Sequence, residues 1–156
     1  MRILALLPLL LLPATVSADG PAQVDGVPGA VIKYRQAGFS GMARHMKSLG
    51  LVAKGKVKIP QADMVAHAKG LQAMGPAIHG WFPKGTGAES GVETEALPAI
   101  WSDAAGFEKA VKDYEAATTE LVAKAEAGDA DAFVAAFKGV GKTCGGCHDT
   151  FRKDDD

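Results

Sequence analysis

Two cysteines, Cys144 and Cys147, stand three residues apart near the C-terminus, and His148 follows the second directly. Cys144-Gly145-Gly146-Cys147-His148 therefore reads C-x-x-C-H. On a helix, positions i, i+3 and i+4 share one face. Two thiols so placed can add across the two vinyl groups of one haem as thioethers, and the imidazole then points at the iron from the same side. Gly145 and Gly146 put no bulk where the porphyrin edge must approach. Each weakens a helix by about 1 kcal/mol relative to Ala, which a covalent cofactor offsets. Three other chemistries use similar residues. A thioredoxin-like redox pair needs strand–helix alternation and a cysteine at a helix N-terminus. A zinc site needs two further ligands, for which His45, His67 and His79 are available, although their spacing matches no zinc motif. The plainest alternative is a structural disulfide beside an unrelated histidine.

The start of the chain bears on that choice. Arg2 supplies a positive charge, Ile3 to Leu12 is apolar except for Pro8, and Val16-Ser17-Ala18 fits the small-x-small cleavage rule before Asp19. Residues 1–18 read as a secretory signal peptide, leaving residues 19–156 as one domain. The apolar run is shorter than the ~20 residues of a membrane span, and no later segment is apolar enough for one. An exported pair of free thiols is unstable as such, so Cys144 and Cys147 must serve a definite purpose. Lys plus Arg number 17 against 18 Asp plus Glu; losing Arg2 with the signal moves the net charge from −1 to −2. Without excess cation, nucleic-acid binding is not expected. Hydrophobic residues at 47% allow a sizeable core, and aromatics at 6% leave it largely to Ala, Val, Leu and Met, a composition suited to helices.

Four periodic segments can position the cysteine motif. The first opens at Pro28 and carries Ile32, Arg35, Phe39, Met42, Met46, Leu49 and Ala53 at alternating steps of three and four. The second runs from Pro60 towards Ile78, with Met64, Ala68 and Leu71 on one face and a kink or end expected at Gly75-Pro76. The third is capped by Ser102-Asp103, carries Phe107, Val111, Tyr114, Thr118, Leu121 and Ala125, and closes at Gly128. The fourth follows Asp129 or Asp131, and its stripe Phe133, Phe137, Val140, Cys144, Cys147 and Phe151 includes both cysteines. Between Trp81 and Trp101 no period survives and turn formers dominate, which reads as one long connection. The expected fold is all-α, an antiparallel four-helix bundle with the attachment motif at its C-terminal end.

Only eight residues follow His148, none of them Met or His, so a group facing the other side of the iron must come from an earlier helix. With that arrangement the chain resembles cytochrome c′, the four-helix-bundle class of bacterial periplasmic cytochromes, over roughly residues 28–153. The resemblance rests on Val140 to Arg152, on Lys33-Tyr34-Arg35-Gln36-Ala37-Gly38-Phe39, and on Phe82-Pro83-Lys84-Gly85-Thr86 and Ala99-Ile100-Trp101 in the connection. It implies one covalent haem c on Cys144 and Cys147, with His148 as the only protein ligand to iron. It also implies Phe39 over the vacant sixth site, Arg35 and Gln36 near the haem propionates, and Arg152 close to the ligand histidine. The implied behaviour is a five-coordinate haem that binds nitric oxide and carbon monoxide, discriminates against dioxygen, and is not an enzyme. A periplasmic location, a homodimer built on the first two helices and an unidentified redox partner follow from the same resemblance.

The residues themselves agree at two points and leave alternatives open at others. Arg35 lies on a buried stripe, where a propionate is a ready counter-charge; the alternative is an arginine snorkelling at the bundle's end. Phe39 can neither ligate iron nor donate a hydrogen bond, and plain core packing suits it too. Met42 and Met46 are near enough to offer a sulfur ligand, as in a low-spin His/Met electron carrier on the same fold. His45 is the nearest candidate for peroxidase-type acid–base work, but it lies six residues after Phe39 and off its azimuth. Trp81 and Trp101 suit packing or haem contact. Gly38 and Gly41 suit a close approach by the haem or a neighbouring helix. Leu51, Val52, Val57 and Ile59 add apolar surface near the end of the first helix, beyond what one stripe requires.

Overall fold

The structure is a computed structural model that describes residues 24–153. The segment 1–18, expected from its sequence to be a signal peptide, and the acidic tail 154–156 lie outside the described residues.

Helix α1 spans Pro28–Ala53, with Pro28 in its first turn, and buries Ile32, Arg35, Met42 and Leu49 of the expected stripe. Helix α2 spans Gln61–Ile78 and continues through Gly75-Pro76 instead of ending there. Pro76 sits in the last turn, so its missing N–H removes a single helical hydrogen bond at an end that frays in any case. A four-residue helix, α3 (Ala99–Ser102), and a 3₁₀ turn at Ala88–Ser90 interrupt the stretch that periodicity reads as plain connection. Both are too short to show a period. Helix α4 spans Ala104–Ala127 and α5 spans Ala130–Phe151. The expected aspartates cap them: the Asp103 carboxylate accepts from the Gly106 N–H, and that of Asp129 from the Ala132 N–H, both at 3.0 Å. Gly128 has φ +71° between α4 and α5, a left-handed turn that only glycine enters cheaply and that reverses the chain within two residues.

The four long helices form a closed antiparallel ring in which α1 packs on α2, α2 on α4, α4 on α5, and α5 on α1. Leu49, Leu71, Leu121, Phe133 and Val140 fill the centre. Polar side chains tie neighbouring helices. His79 at the end of α2 reaches two α4 carboxylates, with Nδ1 2.8 Å from Glu108 and Nε2 3.3 Å from Glu115. His45 of α1 meets His67 of α2 with their Nδ1 atoms 2.9 Å apart. The loop before α3 returns to the C-terminal end of α5, where Leu97 N–H donates to Phe151 C=O at 3.0 Å and Lys153 N–H to Glu95 C=O at 2.8 Å. Among the described residues, strand-like pairing is limited to the isolated bridge between Ala96 and Arg152. No helix among them is long and apolar enough to cross a membrane.

Candidate functional site

A cavity of about 680 Å³ opens between α1, α5 and the loop that joins α2 to α4. Arg35, Gln36 and Phe39 line it from α1; Cys144, Cys147 and His148 line it from α5; Arg152 lines it just past the end of α5. All seven residues singled out in the sequence thus meet in one place. They do so because the first and last helices, remote in the chain, are neighbours in the ring. Met42 and Met46 line the same cavity.

The cavity wall is largely apolar, with Ile100 and Phe107 part of it, and carries a few placed polar groups, Tyr114 among them. Cys144 and Cys147 are free, half-buried thiols, and burial pushes both above the ordinary cysteine value. Tyr114 donates to Leu71 C=O at 2.7 Å, and burial holds its phenol protonated far above the usual range.

Arg35 is only 2% exposed, which removes the snorkelling alternative. Its Nη1 donates to Thr86 Oγ1 at 2.8 Å, and its Nη2 to Thr86 C=O at 2.7 Å and Thr94 Oγ1 at 2.8 Å. The guanidinium lies 4.6 Å from the centre of the Phe82 ring. Burial lowers its pKa, and the charge of Glu89 offsets part of that. Arg35 is therefore a buried cation on the cavity wall, held by neutral oxygens. Arg152 at the other end donates through Nε to Glu95 Oε2 at 2.6 Å. That bond holds the Glu95 carboxyl below the usual range, and the nearby His148 adds to the effect. Gln36 and His148 line the cavity while remaining exposed to solvent.

Several expectations are redirected by this geometry. His45 does not line the cavity; its partner is His67. No three His, Cys, Asp or Glu side chains among the described residues converge as a metal site, so the zinc alternative has no ligand set. Neither tryptophan lines the cavity. Trp101 donates from Nε1 to Phe82 C=O at 2.9 Å. Trp81 is buried against Gly38 and Phe39. Gly41 meets nothing closer than the Arg44 side chain. Sequence reasoning missed Thr94 and Glu95, whose loop has no period to mark them.

The donor set and cavity fit a large, flat, apolar ring carrying acidic substituents. Two thiols one helical turn apart and an adjacent imidazole offer attachment and ligation on one wall, and a buried guanidinium awaits an anion on another. The family profile described as Cytochrome C′ matches residues 30–152. This chain belongs to the cytochrome c′ family. A cytochrome c′ from Alcaligenes xylosoxydans is 36% identical over 126 residues, covering 81% of this chain and 95% of the relative. The solved cytochrome c′ from Rubrivivax gelatinosus superposes with a TM-score of 0.74 at 35% identity, over 81% of this chain and 97% of that one. A nitric oxide complex of a cytochrome c′ variant from Alcaligenes xylosoxidans matches equally well, with a TM-score of 0.74 at 35% identity and the same coverage. Cytochrome c′ proteins carry covalently bound haem c, and Cys144 and Cys147 fit its attachment motif.

Proposed function

We propose that this chain works in the periplasm as a five-coordinate haem protein that binds nitric oxide and carbon monoxide and passes electrons, without catalytic turnover of its own. Haem c, when bound, supplies an iron with one open coordination position and a one-electron redox couple. The chain's residues do the rest. His148 would ligate the iron from α5, where Cys144 and Cys147, just before it on the same helix, would hold the haem through thioethers. Arg35, buried and bonded to neutral oxygens of Thr86 and Thr94, would neutralise a propionate, and Gln36 lies one residue along at the same wall. Arg152, tied to Glu95, closes the side next to His148.

The observation that carries this reading is the place of Phe39. It stands on the α1 wall of the cavity whose α5 wall holds His148, and its ring has no ligand atom and no hydrogen-bond donor. Such a residue covers a metal face without occupying it and gives bound dioxygen no polar stabilisation. The nitric oxide complex among the related solved structures supports the same ligand class.

Met42 and Met46 line the same cavity and support the second reading, a low-spin His/Met electron carrier. Absorption spectra of the purified ferric and ferrous holoprotein separate the two. The expected result is a high-spin, five-coordinate spectrum in both states, unchanged by Met42→Leu or Met46→Leu. A ferric sulfur-to-iron charge-transfer band, abolished by either substitution, would overturn it.

A further inference from the structure

Trp81 is a large side chain that the proposed mechanism does not use. It is 2% exposed, and its indole N–H is buried with no hydrogen-bond partner among the described residues. An unmet buried donor costs about 1–3 kcal/mol, so something other than hydrogen bonding keeps an indole there. Trp101 shows the contrast, since its indole donates to a backbone carbonyl.

What holds Trp81 is shape. The outer edge of its six-membered ring closes on α1 at Gly38. A Cβ on residue 38 would overlap the ring, 2.8 Å from Cζ2 and 3.0 Å from Cζ3. Glycine within a helix costs about 1 kcal/mol relative to Ala, and here it is what admits the indole. Tyr34, one turn earlier on α1, meets the ring edge-on at 6.3 Å. The residue after Gly38 is Phe39, whose ring stands at 87° to the indole with centroids 4.9 Å apart, the favoured edge-to-face arrangement. Phe82 approaches the Phe39 ring at 6.1 Å from the loop.

Helical backbone leaves a phenylalanine two common χ1 rotamers. The indole fills space beside the Phe39 ring and restricts its movement away from the cavity. Trp81 itself does not line the cavity, so any influence it has there passes through Phe39. We infer that Trp81 is a positioning residue that fixes the Phe39 ring, and that Gly38 exists to seat it. Access of a gas ligand to the iron is then set by a Gly38–Trp81–Phe39 unit rather than by Phe39 alone. The inference rests on the reading that Phe39 covers the sixth site.

A double-mutant cycle on ferrous holoprotein tests it, with carbon monoxide association followed by flow mixing and urea unfolding measured in parallel. An aromatic pair of this kind is worth up to about a tenfold change in a rate constant. Trp81→Leu is expected to speed association about three- to tenfold where Phe39 is present, and to have no further effect in Phe39→Ala. Trp81→Phe, which keeps an aromatic neighbour and discards only the unmet N–H, should restore most of the slowness. The unfolding cycle should show the same two residues coupled. Where Trp81→Leu yields no holoprotein, Gly38→Ala displaces the same ring with the indole retained, and faster association is again expected. If Phe39→Ala speeds association but Trp81→Leu and Gly38→Ala do not, Trp81 has no positioning role and the reading of Phe39 stands. An equal effect of Trp81→Leu in both backgrounds also overturns the inference, because the indole would then act without Phe39. If Phe39→Ala itself changes nothing, both the inference and the reading beneath it fall.

Discussion

Arg35 is the residue whose burial most needs an explanation. A guanidinium at 2% exposure is costly without partners, and Thr86 and Thr94 supply three oxygens at 2.7–2.8 Å. Thr86 is itself buried, and its hydroxyl also donates to Pro83 C=O at 2.7 Å, so one side chain organises the start of the loop and steadies the cation. Thr86→Val keeps the shape and removes both bonds. It should cost about 1.5–3 kcal/mol of holoprotein stability, as for hydrogen bonds to charged groups. Urea unfolding measures this, and a loss below about 0.5 kcal/mol, the scale of an indifferent surface change, would show that Thr86 is not the anchor.

Between elements, the α1–α2 seam depends on a histidine pair. With Nδ1 atoms 2.9 Å apart, one nitrogen must carry the shared proton and the other must not. The pair therefore holds only while at least one ring stays neutral. The His45 ring lies across α2 at Gly70, where an added Cβ would meet Cε1 and Nε2 at 2.6 Å. Burial first, then the charges of His67 and Arg44, lower the pKa of His45 from 6.5. Above about pH 6.5 this site is neutral in both folded and unfolded chains and contributes its full stability. As pH falls below that value, the unfolded chain takes up a proton that folded His45 resists, and stability declines. The urea midpoint should fall between about pH 7.5 and about pH 5.5, and His45→Gln should flatten that dependence. A midpoint equally pH-dependent in His45→Gln would assign the effect to another group.

For the whole molecule, the apolar surface left uncovered bears on assembly. Leu51 in the last turn of α1 and Val57 in the connection to α2 are 43% and 42% exposed, and Tyr34 of α1 and Val27 at its N-cap are more exposed still. Scattered apolar side chains are ordinary on a surface, but these belong to one helix and the segments that flank it. We expect a homodimer that pairs the first two helices with those of a second chain. Sedimentation equilibrium at micromolar concentration should give twice the protomer mass, and Leu51→Glu with Val57→Glu should shift the equilibrium towards the protomer. A protomer mass for the unmodified chain would refute the pairing.

Local chemistry and helical periodicity were legible in the sequence alone. The C-x-x-C-H spacing places two thiols and an imidazole on one face of any helix that contains them. Stripes at steps of three and four expose four helices because a helix repeats within a few residues. Capping by Asp103 and Asp129 and the turn at Gly128 are equally local. Closure of the bundle decided the rest. Arg35 finds Thr86 and Thr94 at separations of 51 and 59 residues, in a loop with no period to announce them. His45 meets His67, not the cavity, because its azimuth on α1 faces α2. Trp81 stands behind Phe39 because residue 38 has no side chain, a fit that exists only once the end of α2 is laid against α1. Spacing along the chain determines which atoms can share a helix face, and only packing between helices determines what each face meets.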